Sequence, residues 1–172
     1  MKKLTKLLLF AGLILAGHSI VYGQQAKIAL QHSGSMTTFT DITLALAASV
    51  NGDTLYLPGG PIYASGTILI DKSLTIIGVG HYPDSTTATY QTVFSQPIFI
   101  VPGADGGLLS GVKCPQIFFG NGLSNQNVNN YRIVRCYIEN LYPSSWGNIL
   151  SENILISENI INYLPAQQFH SV

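Results

Sequence analysis

Apolar positions follow two different periods along this chain. In "TFTDITLALAASVNGD" (38–53), Ile42, Leu46 and Val50 or Ser49 recur at helical spacing. Thr40 suits an N-cap and Asp41 the first turn, and "NGD" at 51–53 ends the run. The pattern predicts a short amphipathic helix of about ten residues. After it the period shortens. "TLYL" (54–57), "TILI" (67–70), "LTIIG" (74–78), "PIFIV" (97–101) and "QIFFG" (116–120) are brief apolar or β-branched runs, with Gly, Pro, Asn and Asp between them. These runs predict strands. No later helical segment alternates with them, so the expectation is an all-β chain with one helix at its front.

A longer period lies over the strand pattern. "YIENLYP" (137–143) returns as "NIINYLP" (159–165), and "GVKC" (111–114) lies 22 residues before "IVRC" (133–136), with "ILIS" (154–157) at a nearby phase. Aligning by 22 puts Val112, Val134 and Ile156 in one column. Ile138 with Ile160, Asn140 with Asn162, and Pro143 with Pro165 make three more. A fixed short period marks stacked structural units. About 22 residues is too few for a helix pair, and the Leu density of leucine-rich repeats is missing. The length fits one circuit of a parallel β-helix, a solenoid of about 22 residues per coil. Successive coils would lie roughly 4.8 Å apart. Ile would then pack on Ile, and Asn would bond amide to amide along the axis. Pro would occupy corners, where its missing N–H removes no ladder bond.

With these residues in view, the segment 39–80 resembles the N-terminal end of secreted right-handed parallel β-helix proteins of the pectin-lyase-like group. The resemblance rests on Gly52-Asp53-Thr54-Leu55, Leu57-Pro58-Gly59 and Tyr63, then Ile68, Ile70, Lys72, Leu74, Ile76 and Gly78. It implies a right-handed β-helix whose short N-terminal helix caps the open end, with Phe39, Ile42, Leu46 and Val50 over the first coil. The implied division is a segment 24–52 carrying the capping helix and coils over 53–172. Members of the group usually carry several more coils, so the resemblance also implies a chain that is C-terminally incomplete. Lyases of the group use a calcium-held carboxylate cluster with an Arg or Lys base, and hydrolases use clustered Asp.

The first 23 residues point to a location. Lys2, Lys3 and Lys6 precede an apolar run from Leu7 to Ala16, and Val21 and Gly23 stand three and one before a cut ahead of Gln24. This is the layout of a removable export signal. The apolar run is shorter than the ~20 residues needed to span a bilayer, and His18 and Ser19 interrupt it. A secreted, periplasmic or cell-surface location follows, with no membrane span after signal removal. Only 9% of residues are charged and the net charge is zero. That balance excludes nucleic acid as a partner, because its binding needs a basic face to displace counterions.

Candidate chemistry is sparse. Lys113 and Arg135 face the same way in "VKC" and "VRC". Stacked one coil apart, they form a small basic strip suited to the carboxylates of an acidic polysaccharide, or else two solvated charges. Trp146, in "PSSWGN", is the aromatic residue best placed to stack on a sugar. Cys114 and Cys136 would point inward in adjacent coils, as a disulfide formed after export or as two stacked small hydrophobes. Asp53 and Asp71 read as turn residues entering strands. Asp84 and Asp105 are isolated, Glu139, Glu152 and Glu158 are scattered, and His32, His81 and His170 lack metal-ligand spacing. No catalytic residue, metal ligand or cofactor emerges from the residues themselves, and calcium is expected only on the lyase reading. The favoured function is a non-catalytic scaffold, adhesin-like, whose partner is a polysaccharide or cell-surface glycan. The alternative is the N-terminal part of a polysaccharide lyase or glycoside hydrolase acting on acidic polysaccharide.

Overall fold

The computed structural model describes residues 27–80, 90–120, 127–142 and 151–164. The expected export signal at 1–23 lies outside them, as do Trp146, Asp84, His81, His170 and the Pro143/Pro165 pair. The chain opens with an antiparallel hairpin, β1 (Ile28–His32) and β2 (Ser35–Phe39). Its two-residue turn has positive φ at both Ser33 (46°) and Gly34 (82°). Such turns match the natural twist of a hairpin. Helix α1 (Ile42–Ala48) follows.

From there the structure is almost entirely parallel strands. One seven-stranded sheet runs β13 (Leu155–Ser157), β11 (Arg132–Val134), β9 (Leu108–Ser110), β6 (Thr75–Ile77), β3 (Thr54–Tyr56), β1, β2. The other runs β14 (Ile160–Tyr163), β12 (Tyr137–Tyr142), β10 (Val112–Phe119), β7 (Thr92–Phe94), β4 (Gly60–Ile62). β5 (Ile68–Ile70) pairs with β8 (Ile98–Ile100), which pairs with the end of β10. The chain therefore alternates between the sheets on every pass. The architecture is mostly β with parallel sheets and one short helix.

The core lies between the sheets, and most strands bury residues in it, whereas β2, β13 and β14 bury none. Ile68, Ile98, Ile117 and Leu141 are register partners in sequence and are all buried. So are Leu55, Ile76, Leu109 and Ile133. Tyr131 is also buried, edge-on to Phe119 at 6.1 Å between ring centroids. Its hydroxyl has no hydrogen-bond partner among the described residues.

The strand-over-strand expectation holds, but the columns differ from the 22-residue alignment. Ile138 pairs with Ile161 rather than Ile160, and Asn140 with Tyr163 rather than Asn162. Val134 lies beside Ser110 and Ser157, while Ile156 lies beside Ile133. The last two passes are offset by 23 residues and the pair before them by 24, as between Cys114 and Ile138. Burial explains the shift. A slip of one residue turns every side chain to the opposite face. Alignment on identical letters put half-exposed Val134 over buried Val112, whereas the fold keeps Ile133 inside. The amide ladder expected at 140/162 occurs instead at a turn, where Asn153 Nδ2 donates to Asn130 Oδ1 at 3.2 Å.

The helix also departs from expectation. Its N-cap is Asp41, not Thr40: Asp41 Oδ1 accepts from Thr43 N–H at 2.8 Å. It spans seven residues and buries Ile42, Ala45 and Leu46. Ser49 is already extended, so Val50 leaves the helical phase and is exposed. Asp41 is buried, and it also accepts from the Thr43 hydroxyl and the Ser65 N–H. Burial works against its charged form, but the hydrogen bonds from Ser65 and Thr43 outweigh it and bring its pKa from 3.8 down to about 2. A lowered folded pKa means that the stabilisation is complete above the unfolded value and is lost as pH falls through the folded one. The increment is about 2 kcal/mol. Urea unfolding followed from pH 6 to pH 2 should show this loss, and Asp41→Asn should remove that part of the pH dependence.

Candidate functional site

Strand β10 sets up an outward face that carries Lys113, one of the three expected binding residues. Val112, Cys114, Ile117 and Phe119 point inward, while Lys113, Gln116 and Phe118 are half-exposed. Pro115 and Gln116 break the alternation. The strand bends there, leaving its pairing with β7 and joining β8. Pro fits this point because no ladder bond is lost.

β12 repeats the arrangement one pass on. Lys113 faces Tyr137 in register, with Nζ 4.9 Å from the ring centroid. This is a cation–π contact. The Tyr137 hydroxyl accepts from Asn162 Nδ2 at 2.9 Å. Gln116 lies beside Asn140, whose Nδ2 donates to Pro115 O at 3.3 Å. Phe118 is sandwiched by Phe99 (centroids 5.1 Å, 12° between planes) and Tyr142 (4.5 Å, 4°). Both faces of Phe118 are therefore covered. The inner rings tie the passes together, and Tyr142 is the last ring of the row among the described residues.

The basic strip is not formed. Lys113 lies on β10, whereas Arg135 sits in the turn between β11 and β12 at φ 55°. Its Nε donates to Glu158 Oε2 at 2.7 Å. Cys114 and Cys136 are buried free thiols, so the bridge, one of the two readings open for them, is not formed. Their spacing of 22 is not the register: Cys114 lies beside Ile138. Burial raises the Cys114 pKa well above the usual thiol range and that of Cys136 to about 11. Such thiols are poor nucleophiles.

Asp71 pairs with Lys72 at 3.2 Å, and Asp105 accepts from Asn129 N–H at 2.8 Å. Among the described residues no three His, Cys, Asp or Glu side chains group as a metal site would need.

One constellation was not visible in the sequence. His32 Nδ1 lies 2.7 Å from Asp53 Oδ1, and Ser33 Oγ lies 3.4 Å from His32 Nε2. Asp53 is buried at the strand entrance where the sequence put it, and its other oxygen accepts from Val50 N–H at 2.8 Å. Burial opposes its charge, but the Val50 and His32 contacts prevail and hold its pKa below the usual carboxylate value. Two features bring His32 to Asp53: the antiparallel pairing of β1 with β3, and the reversal at Ser33–Gly34. The signal was the "SG" between "IALQH" and "SMTTF", a hairpin turn between two short strands.

No family model, curated protein or solved structure matches this chain.

Proposed function

We propose that this protein is a secreted right-handed parallel β-helix of the pectin-lyase-like kind, acting as a scaffold that binds glycan without cleaving it. The fold reading is supported by consecutive parallel strands that return to the same sheet every pass, with α1 over one end. The export reading is supported by the Lys-rich start and apolar run before Gln24.

The binding reading rests on one observation: the neighbouring outward rows of β10 and β12. Lys113 and Tyr137, Gln116 and Asn140, and Phe118 and Tyr142 repeat amide, hydroxyl and ring groups at the spacing of successive strands. A polymer bearing hydroxyls along its length meets such a row with hydrogen bonds and ring contacts. The ligand favoured is a polysaccharide or cell-surface glycan of low charge. Arg135 is engaged by Glu158, and Lys113 alone makes a weak cationic patch.

Affinity electrophoresis through gels containing xylan, a mannan, pectate or alginate tests this. Retardation by a neutral polymer, insensitive to salt, is expected. Tyr142→Ala together with Asn140→Ala should weaken it on the order of tenfold, about 1.4 kcal/mol. Retardation by pectate alone, abolished by salt, would transfer the site to acidic ligands, and no retardation on any polymer would end the binding reading.

A further inference from the structure

The tip of the β1–β2 hairpin holds a hydroxyl, an imidazole and a carboxylate in series, 3.4 Å and 2.7 Å apart. The order fixes the protons. Asp53 is held in its charged form and can only accept, so His32 Nδ1 carries the hydrogen of that contact. In a neutral imidazole this leaves the Nε2 lone pair facing the Ser33 hydroxyl. Asp53 is itself fixed by the Val50 N–H, so the ring is held from a buried anchor while its far edge stays open. Ser33 is exposed at a backbone φ of 46°, which few side-chain-bearing residues adopt. A serine is not needed for such a turn, because Gly, Asn or Asp serve it better.

We propose that Ser33 is a nucleophile toward activated esters, with His32 as its general base and Asp53 as the positioning residue. Ser33 Oγ bonds to the ester carbonyl carbon while its proton passes to His32 Nε2. The carbon–oxygen bond to the leaving group then breaks, and His32 returns the proton to the departing alcohol. Water repeats the sequence against the acyl-serine, releasing the acid and restoring the hydroxyl. The site is independent of the glycan face, which lies on β10 and β12.

A fluorophosphonate probe reads the first half of this chemistry, because the Oγ–P bond forms as fluoride leaves. Incubation of the full chain, with peptide mapping of the label, should place it on Ser33. Ser35, two residues on in the same hairpin, is exposed and is the internal comparator. His32→Gln should slow labelling on the order of 100-fold, the usual scale of general-base assistance. Because this variant also removes the His32 hydrogen bond to buried Asp53, its far-UV circular dichroism should match the parent's before the rates are compared. Ser33→Gly, which suits the positive φ, should abolish labelling at the site. With His32→Gly, added imidazole should restore part of the rate, which a purely structural histidine would not allow. Equal labelling of Ser33 and Ser35, or a His32→Gln protein that reacts as fast as the parent, overturns the proposal.

Discussion

Alanine at position 103 is expected to cost roughly 3–5 kcal/mol of stability, from about 1–3 for backbone strain and a similar term for overpacking. Gly103 lies between β8 and β9 at φ 102°, where only glycine is comfortable. A Cβ there would stand 2.2 Å from Asp71 O and 3.1 Å from Asp71 C. The obstacle is backbone, so no rotamer change relieves it. The turn cannot drift outward freely, because Val101 N–H donates to Ile70 O at 2.9 Å and Ala104 N–H donates to Val101 O. A loss of this size is a large share of the ~5–15 kcal/mol that holds a domain together. Gly34→Ala is the control: φ is 82° but nothing lies within 4 Å of the added atom, so only the strain applies. Urea denaturation should show a much lower midpoint for Gly103→Ala than for Gly34→Ala. Equal shifts would mean that the turn does not rest on Asp71.

The same pass-to-pass contact explains what could and could not be read from residues alone. The runs at 54–57, 67–70, 74–78, 97–101 and 116–120 became β3, β5, β6, β8 and β10 because each holds enough apolar residues to show a strand. β4, β7 and β9 are no shorter than β3, β5, β6 and β8, but their segments "GPI", "TVF" and "LLS" lie among Gly, Pro, Gln and Ser, which read as turn. Register failed for a physical reason. "NII" at 159–161 offers two adjacent isoleucines, so the letters allow an offset of 22 or 23, and only the inward direction of Ile133 and Ile138 selects the second. Arg135 was misplaced by the same logic. Alternation applies within a strand, and a residue with φ of 55° has left the strand. The equivalent turn one pass earlier uses Gly111 at φ 69°, a residue without a side chain to orient. The His32–Asp53 contact was hidden because β1 runs antiparallel to β3 and lies outside the repeat altogether.

Ile117→Ala should be the other severe substitution, at about 3–5 kcal/mol, the upper part of the range for deleting a buried branched side chain. Ile117 is fully buried, with Ile98 on one side and Leu141 on the other, and Ile68 continues the row beyond Ile98. Hydrogen-bonded strands hold both neighbours, so the cavity cannot close by collapse. Ile117→Val, which leaves most of the volume filled, should cost only about 0.5–1.5 kcal/mol. Ile156 is the contrast within the same architecture. It is 39% exposed and pairs on one side with Ile133. Ile156→Ala should therefore lose about 1 kcal/mol or less, because much of its surface is already in water. Urea midpoints measured at constant slope would place Ile117→Ala well below both Ile117→Val and Ile156→Ala. If Ile117→Ala and Ile156→Ala lost the same amount, stability would not reside in rows of apolar side chains stacked between passes. The proposed glycan-binding face on β10 and β12 would then lose the rigid backing that keeps its side chains in register.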